Sequence, residues 1–588
     1  MIIPLENLSG QNLYLAKTYI KKGSYDKALP IYLDWMKNHP YRQDVYNDVI
    51  KIYRYQGKFD EGIRLASLYY NRYKNPLFLV DVYYFNLRKN DSTGAGKAFK
   101  KIRRALQTNT GYLIAVERRL RHYNYLDKAL ELLDTFGSRI RYGNIPLEKA
   151  GLYAEKGMIP EMMDNFIDAL RVNPVYYNYV IGSLNRYVTA DPANEYNRTL
   201  KEKLVQRLAR DPNPDYLRLL EWLYVKEGQY GKAFIQAKGL FLRKLVDANH
   251  LENLATDALE KGQTATARKI TDFLQKRIQD LSGREQDRLR LIQSETEYKE
   301  NRNNPGKIAS YVPVWKNRAK QIKNPELRNN LNEIIADALM YDLKDYDESG
   351  RFLDSLVNVN QGNIYRESWE ERRGDLWLLK KDFDRAAIEF TLLREKTPYK
   401  ETGYRALYKI ALASFFSGDF DWAHRNLKAL KKAASRKIAN DALLLDFMII
   451  ANKIPGDSLQ RPLHVFSGLY YDYFTGNYQR LIRKADSIAP AFKGQKIYDD
   501  IRYLQAVSLE KTGHFDRAVD IWQEILSFTT EKIYREEALF HLGTIFEKHL
   551  NDPAKARTFY KKLLLEFPQG LHHDEVRAAY EKLKNTVI

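Results

Sequence analysis

No cysteine occurs among the 588 residues. Disulfides, thiolate zinc sites and cysteine nucleophiles are therefore excluded. The compartment stays open, because a chain without thiols suits an oxidising envelope and a reducing cytosol equally. Glycine and proline are sparse, at 30 and 19 residues, which excludes a collagenous or largely disordered chain. Long apolar runs are missing too. The richest, residues 443–451, is broken by Asp446 and falls far short of the ~20 residues a membrane-spanning helix needs. The opening MIIPLENLSG has neither the basic start nor the apolar stretch of a signal peptide. Two settings stay open: a cytosolic protein, or an exported one whose leader has been removed.

What is present suits helices with one buried face: 44% hydrophobic and 29% charged residues, with 43 tyrosines that can fill gaps while their hydroxyls reach water. The chain is too long for one ordinary core. A repeat array escapes that limit, because each unit buries its apolar face against its neighbours.

A repeat is visible. In LAKTYIKKGSYDKALPIYLDWMKNHP, Leu15, Ala16, Tyr19, Gly23, Tyr25, Ala28, Tyr32 and Pro40 fall at the spacing of a helical hairpin of about 34 residues. Ala16 and Ala28 let the two helices approach closely, Gly23 ends the first helix and Pro40 the second. Gly57 follows Gly23 by 34 residues, and Gly262 follows Gly228 by another 34. Gly157, Gly374, Gly418, Gly476, Gly513 and Gly543 mark further copies, each with in-phase Ala and aromatic residues such as Ala169, Phe383, Ala386, Phe420, Ala423, Tyr478, Phe515, Ala518 and Tyr560. Residues 75–140 and 281–365 are the least regular. The latter contains NRNNPGKIA and VNVNQGN, polar turn-rich pieces that read as a bend between two arrays. The expected organisation is an N-terminal array over 1–280 (75–140 degenerate), irregular helical repeats over 281–365, and a C-terminal array over 366–588 that closes on a capping helix near 572–584.

On these residues the whole chain resembles the tetratricopeptide repeat superfamily, which implies an all-α, right-handed α-solenoid of helical hairpins. REEALFHLGTIFEKHLNDPAKARTFYKKLLLEFPQG is similar to the terminal repeats of exported bacterial tetratricopeptide proteins of the outer-membrane assembly lipoprotein and Tol–Pal coordinator type. That likeness implies protein binding and a bacterial envelope or periplasmic setting. The superfamily also holds chaperone adaptors and cytoplasmic regulators of partner enzymes, so the fold alone does not choose among them.

Motifs for chemistry are absent. TGAGKAF at 93–99 has Asp91 where a phosphate loop needs its first glycine and Ala98 after Lys97, so it reads as an inter-helix turn. His572, His573, Asp574 and Glu575 are adjacent and point in different directions on a helix, which suits a solvated first turn better than a metal site. His250 and His514 sit beside turns as surface or packing residues, and no G-x-S-x-G elbow occurs. No enzyme activity, metal or cofactor is expected.

The net charge of +20 points to acidic partners. Lys97, Lys100, Lys101, Arg103, Arg104, Arg118, Arg119 and Arg121 face only Glu117 over 97–121, and the stretch 425–437 carries six cations and no acid. These are candidates for an anionic polymer or membrane surface, or simply solvated helix faces. No nucleic-acid reading motif accompanies them, so no specific nucleic acid is expected. The resemblance also implies that first helices line a groove. Its N-terminal part would present Lys17, Lys21, Asn47, Lys51 and Arg54. Its C-terminal part would present Tyr408, Phe415, Phe416, Phe466, Tyr470, Tyr473, Phe474 and Tyr503, as rigid contact area for a peptide or as packing between hairpins. Leu13 and Lys17 stand where the carboxylate clamp of chaperone adaptors needs Lys and Asn, so that function does not carry over. The expected role is a non-catalytic scaffold holding protein segments.

Overall fold

The computed structural model describes residues 5–39, 42–140, 143–359, 365–430, 436–457, 459–528 and 532–585. Among them are thirty-two α-helices and no strand. Pro40, read above as a helix stop, lies outside the described residues, as do 360–363 of VNVNQGN. Most of the helices pair into hairpins, and within each unit hairpin packs on hairpin, so the chain is an all-α solenoid. It divides into two compact units, Met1–Thr296 and Glu297–Ile588.

The turn inside each hairpin sets the repeat register. In most hairpins it places one residue in the left-handed region, which lets the first helix stop and the second start at once. In the first five hairpins these residues are Gly23, Gly57, Asn90, Asn124 and Gly157, with φ between 62° and 71°. They are 34, 33, 34 and 33 residues apart. The stretch 75–140 is thus as regular in space as its neighbours. Asparagine, which tolerates this region better than other side chains, stands where glycine was looked for. In the second unit Lys344, Lys381 and Gly418 are 37 residues apart, Gly513 follows Gly476 by 37, and Asn551 follows Gly513 by 38. The period there is longer than 34 because several first helices are longer: Glu401–Ser417 and Lys532–Lys548 each have 17 residues.

Several second helices begin with an aromatic or leucine followed by aspartate, as at Tyr25, Phe59, Leu126, Tyr346 and Phe420. That aspartate reaches the last turn of the next hairpin's first helix: Asp26 with Gln56 (2.7 Å), Asp60 with Lys89 (2.6 Å), Asp127 with Lys156, Asp347 with Lys380 (3.0 Å) and Asp421 with Lys453. Each carboxylate sits at a helix N-terminus and each lysine at a C-terminus, so both also suit the helix dipoles. Within a hairpin, small residues admit large rings. A Cβ on Gly374 would lie 2.4 Å from the Phe390 ring, and one on Gly543 would lie 2.3 Å from that of Tyr560.

One element breaks the pairing. The helix Arg436–Asn452 packs on the hairpin Glu401–Ser417/Phe420–Leu430 as a first helix should, down to the Lys453–Asp421 pair. No second helix follows it. The chain goes instead to a new hairpin, Arg461–Phe474/Tyr478–Ile488. The turn residues Gly418 and Gly476 are accordingly 58 residues apart. The last helix, His573–Asn585, covers the second helix of the final hairpin, Pro553–Glu566.

Candidate interaction surface

First helices of successive hairpins are joined side by side by ion pairs. Arg118 meets Glu148 (3.0 Å), Arg121 meets Glu155 (2.6 Å), His250 meets Glu221 (2.7 Å), Arg405 meets Glu371 (2.8 Å) and Lys409 meets Asp375 (2.8 Å). Partners lie about one repeat apart in sequence. Charge on the first-helix face is therefore largely balanced, and the basic run over 97–121 is not one patch. Arg103 pairs with Glu131 (2.9 Å), while Arg118, Arg119 and Arg121 belong to the ladder. Lys97, Lys100, Lys101 and Arg104 remain exposed, at i, i+3, i+4 and i+7 on the second helix Ser92–Thr108. That spacing puts them on one helix face. The other basic stretch, 425–437, includes residues 431–435, which lie outside the described residues.

The N-terminal groove candidates do converge. Lys17 and Lys21 on Leu5–Lys21 and Asn47 on Gln43–Gln56 line a cleft of about 420 Å³ together with Asp44 and Asp48. Lys17 lies 3.7 Å from Asp44, and Lys51 is exposed one turn beyond Asn47. Arg54 turns away from the cleft. Its guanidinium stacks on Tyr84 and Tyr123 (4.9 and 4.6 Å to the ring centres) and bonds His122 at 3.1 Å. Behind it, fully buried Asp81 accepts from Tyr46 (2.7 Å) and Tyr123 (2.5 Å) and pairs with Arg119 at 3.3 Å; Arg119 also donates to Asn47 at 2.6 Å. Burial raises the Asp81 pKa against the pull of Arg119 and the two tyrosines. This network locks three successive first helices together.

The C-terminal aromatics cluster, but they do not all face a groove. Phe415 and Phe466 are 0% exposed and fill the core, their rings 6.0 Å apart. Their place in a groove is corrected: both point between hairpins. Phe416, Tyr470, Tyr473 and Phe474 are half-buried around them, with ring centres 5.6–6.3 Å apart. Tyr408 is hydrogen-bonded to Tyr470, and burial followed by that neighbour raises its pKa well above the usual tyrosine range. Tyr503 is packed between Trp522 and Tyr534.

Two further clefts open on first helices. One, of about 350 Å³, has Arg118, Arg121, Glu148, Glu155, Tyr179 and Arg186 in its walls, so three successive first-helix regions contribute. Just behind it Glu117 is fully buried, and neither of its carboxylate oxygens has a hydrogen-bond partner; burial raises its pKa to about 7. Glu252 on Ala248–Glu260, also buried and without a hydrogen-bond partner, is raised by burial to about 7 although Arg288 lies 3.8 Å away. The other cleft lies beside the unpaired helix and is described below.

Sequence reasoning misjudged His572. It stacks on Phe540 at 3.9 Å and bonds Glu537 at 3.0 Å, so it is packed rather than solvated. His541 bonds Glu510 at 3.0 Å and lies 3.5 Å from Glu537. Burial would lower His541, yet these two carboxylates win and raise its pKa to about 9. Burial likewise opposes ionisation of Glu537, but the bonds from His541 and His572 win and hold it at about 2. The four residues make a structural salt link between the last two hairpins. No group of His, Asp and Glu that could hold a metal ion occurs among the described residues. No helix among them is long and apolar enough to cross a membrane.

Residues 537–570, the last hairpin and its exit, match the tetratricopeptide repeat family model. No curated protein matches the chain. Among solved structures, a Naa15/Naa10 complex bound to HypK-THB is similar at 11% identity and TM-score 0.28, over 98% of this chain and 96% of that one. The pentatricopeptide repeat protein PPR10 from maize is similar at 12% identity and TM-score 0.32, over 98% and 95%. A Cut9–Hcn1 heterotetramer of the APC/C is similar at 12% identity and TM-score 0.21, over 93% and 98%.

Proposed function

We propose that the chain is a non-catalytic scaffold that holds segments of partner proteins against the first-helix face of its hairpins. The observation that supports this most is where the clefts open. Those at Lys17–Asn47 and at Arg121–Arg186 lie where neighbouring first helices adjoin, and each is walled by side chains from more than one repeat. Ion pairs between the same helices hold those walls rigid, and preorganised walls reduce the entropic cost of binding. The test is co-purification under chemical crosslinking, comparing the intact chain with a Tyr179→Ala/Arg186→Glu double variant. Discrete partners that disappear with the variant are expected; an unchanged set of captured proteins would count against the reading. We further propose an envelope or periplasmic setting, resting only on the resemblance read in the sequence of the final repeats, which fractionation of the native organism would check.

A second reading rests on a different feature. Lys97, Lys100, Lys101 and Arg104 form an exposed cationic stripe for which no acidic partner exists among the described residues, and a stripe of this kind suits an anionic polymer or membrane surface. It predicts binding to heparin or anionic vesicles that weakens steeply with salt. A Lys100→Glu/Lys101→Glu/Arg104→Glu variant should lose that binding, and retention would refute it.

A further inference from the structure

The unpaired helix Arg436–Asn452 leaves an uncovered site. In the hairpins around it a second helix covers the first, as Phe420–Leu430 covers Glu401–Ser417 and Phe515–Phe528 covers Ile497–Lys511, and here that helix is missing. Leu443 and Ile450, seven residues apart and so on one side of the helix, are 42% and 53% exposed. Leu443 forms one wall of a cleft of about 680 Å³. The opposite wall is the start of the final hairpin and the loop that leaves it, with Tyr503 at the base.

The chemistry of this cleft is lopsided. Its apolar surfaces come from Leu443, Leu444, Phe567 and Leu571. Its charged residues are Asp441, Glu536, Glu537 and Glu566, with no Lys or Arg among the lining residues. In a chain of net charge +20 such a lining stands against the general trend. The carboxylates are also fixed in place. Glu536 accepts the His572 backbone N–H at 3.0 Å and lies against Gly570, where a Cβ would come within 2.3 Å of it. Glu537 is held by His572, and Glu566 by Arg535 at 3.0 Å. An apolar trough with fixed acids at its edge recognises an apolar side chain with a cation near it.

We infer that this cleft binds a basic amphipathic segment of a partner protein, its leucine-like side chains against Leu443 and Leu571 and its Lys or Arg against Glu536 and Glu566. The inference rests on the scaffold reading for its biology, but the site is separate from the clefts between first helices of the N-terminal unit. Its test therefore fails independently of that reading.

The probe is a fluorescein-labelled twelve-residue peptide of leucine and lysine at helical spacing, with a leucine–glutamate peptide as its opposite, titrated against the full chain by fluorescence anisotropy. The leucine–lysine peptide should bind despite repulsion from the net positive chain, and the leucine–glutamate peptide should not. A Glu536→Gln/Glu566→Gln variant should weaken binding at least tenfold. Leu443→Asp should do the same, and since Leu443 is a surface residue that variant keeps the test open if the double variant does not fold. Failure of the leucine–lysine peptide to bind, or tighter binding of the leucine–glutamate peptide, would overturn the inference. So would equal binding by Leu443→Asp. In each case crosslinking at the first-helix clefts would remain as the separate measure of the scaffold reading.

Discussion

Asp81 shows how a single residue sets local order in this chain. It is fully buried, yet its oxygens take two tyrosine hydroxyls and an arginine from the first helices on either side. Asp81→Ala would strand Arg119 in a dry site, and breaking one side of a buried pair costs about 3–5 kcal/mol. Urea unfolding should show a loss of that size; a loss under 1 kcal/mol would mean the network is not structural. Glu117 behaves in the opposite sense. Its folded pKa of about 7 lies above the ordinary 4.5. Its stabilising contribution is therefore complete below ~4.5 and lost as pH rises through 7. Glu117→Gln should stabilise the chain at pH 8 by about 1–3 kcal/mol and change little at pH 5. Paired urea titrations at the two pH values would check both the size and the sign. Neither residue was legible in the sequence. Glu117 looked like the lone acid in a basic run, and the acids that neutralise the arginines around it lie 28 to 38 residues away.

At the scale of the helix, the repeat was readable wherever glycine marks the turn and lost where another residue does its work. Gly23, Gly57, Gly157, Gly228 and Gly262 all take positive φ, as their spacing predicts. Asn90, Asn124, Lys344 and Lys381 take it too, and nothing in their neighbourhood advertises it. At Asn90 and Asn124 the native conformation costs a side chain energy that glycine would not incur. Asn90→Gly and Asn124→Gly should therefore be neutral or slightly stabilising. Gly543→Ala should cost about 1–3 kcal/mol, because its new methyl meets the Tyr560 ring in a packed hairpin. Thermal unfolding of the three variants separates turn glycines from packing glycines. The unpaired helix was invisible for a different reason. Arg436–Asn452 has the apolar pattern of any first helix, and only the 58-residue gap between Gly418 and Gly476 betrays the missing partner.

At the scale of the molecule, charge is the feature that changes most between sequence and structure. A chain of net charge +20 reads as a search for an anion. In the fold, many lysines and arginines pair with acids in ladders between neighbouring hairpins; the excess that no ladder neutralises includes a cationic stripe on Ser92–Thr108, while an acidic cleft lies beside the unpaired helix. The aromatic residues followed a similar course, since burial between hairpins took Phe415 and Phe466 and left Phe416, Tyr470 and Phe474 half-covered. What a solenoid offers a partner is the surface left after its repeats have satisfied each other. The most direct test of that claim places a photo-crosslinking amino acid at Lys21 or Tyr179 on the first-helix face, and at Leu68 or Ile388 on second helices, in the native host. Discrete partner adducts from the first pair and none from the second are the predicted result. Equal labelling from both faces, or none from either, would contradict it.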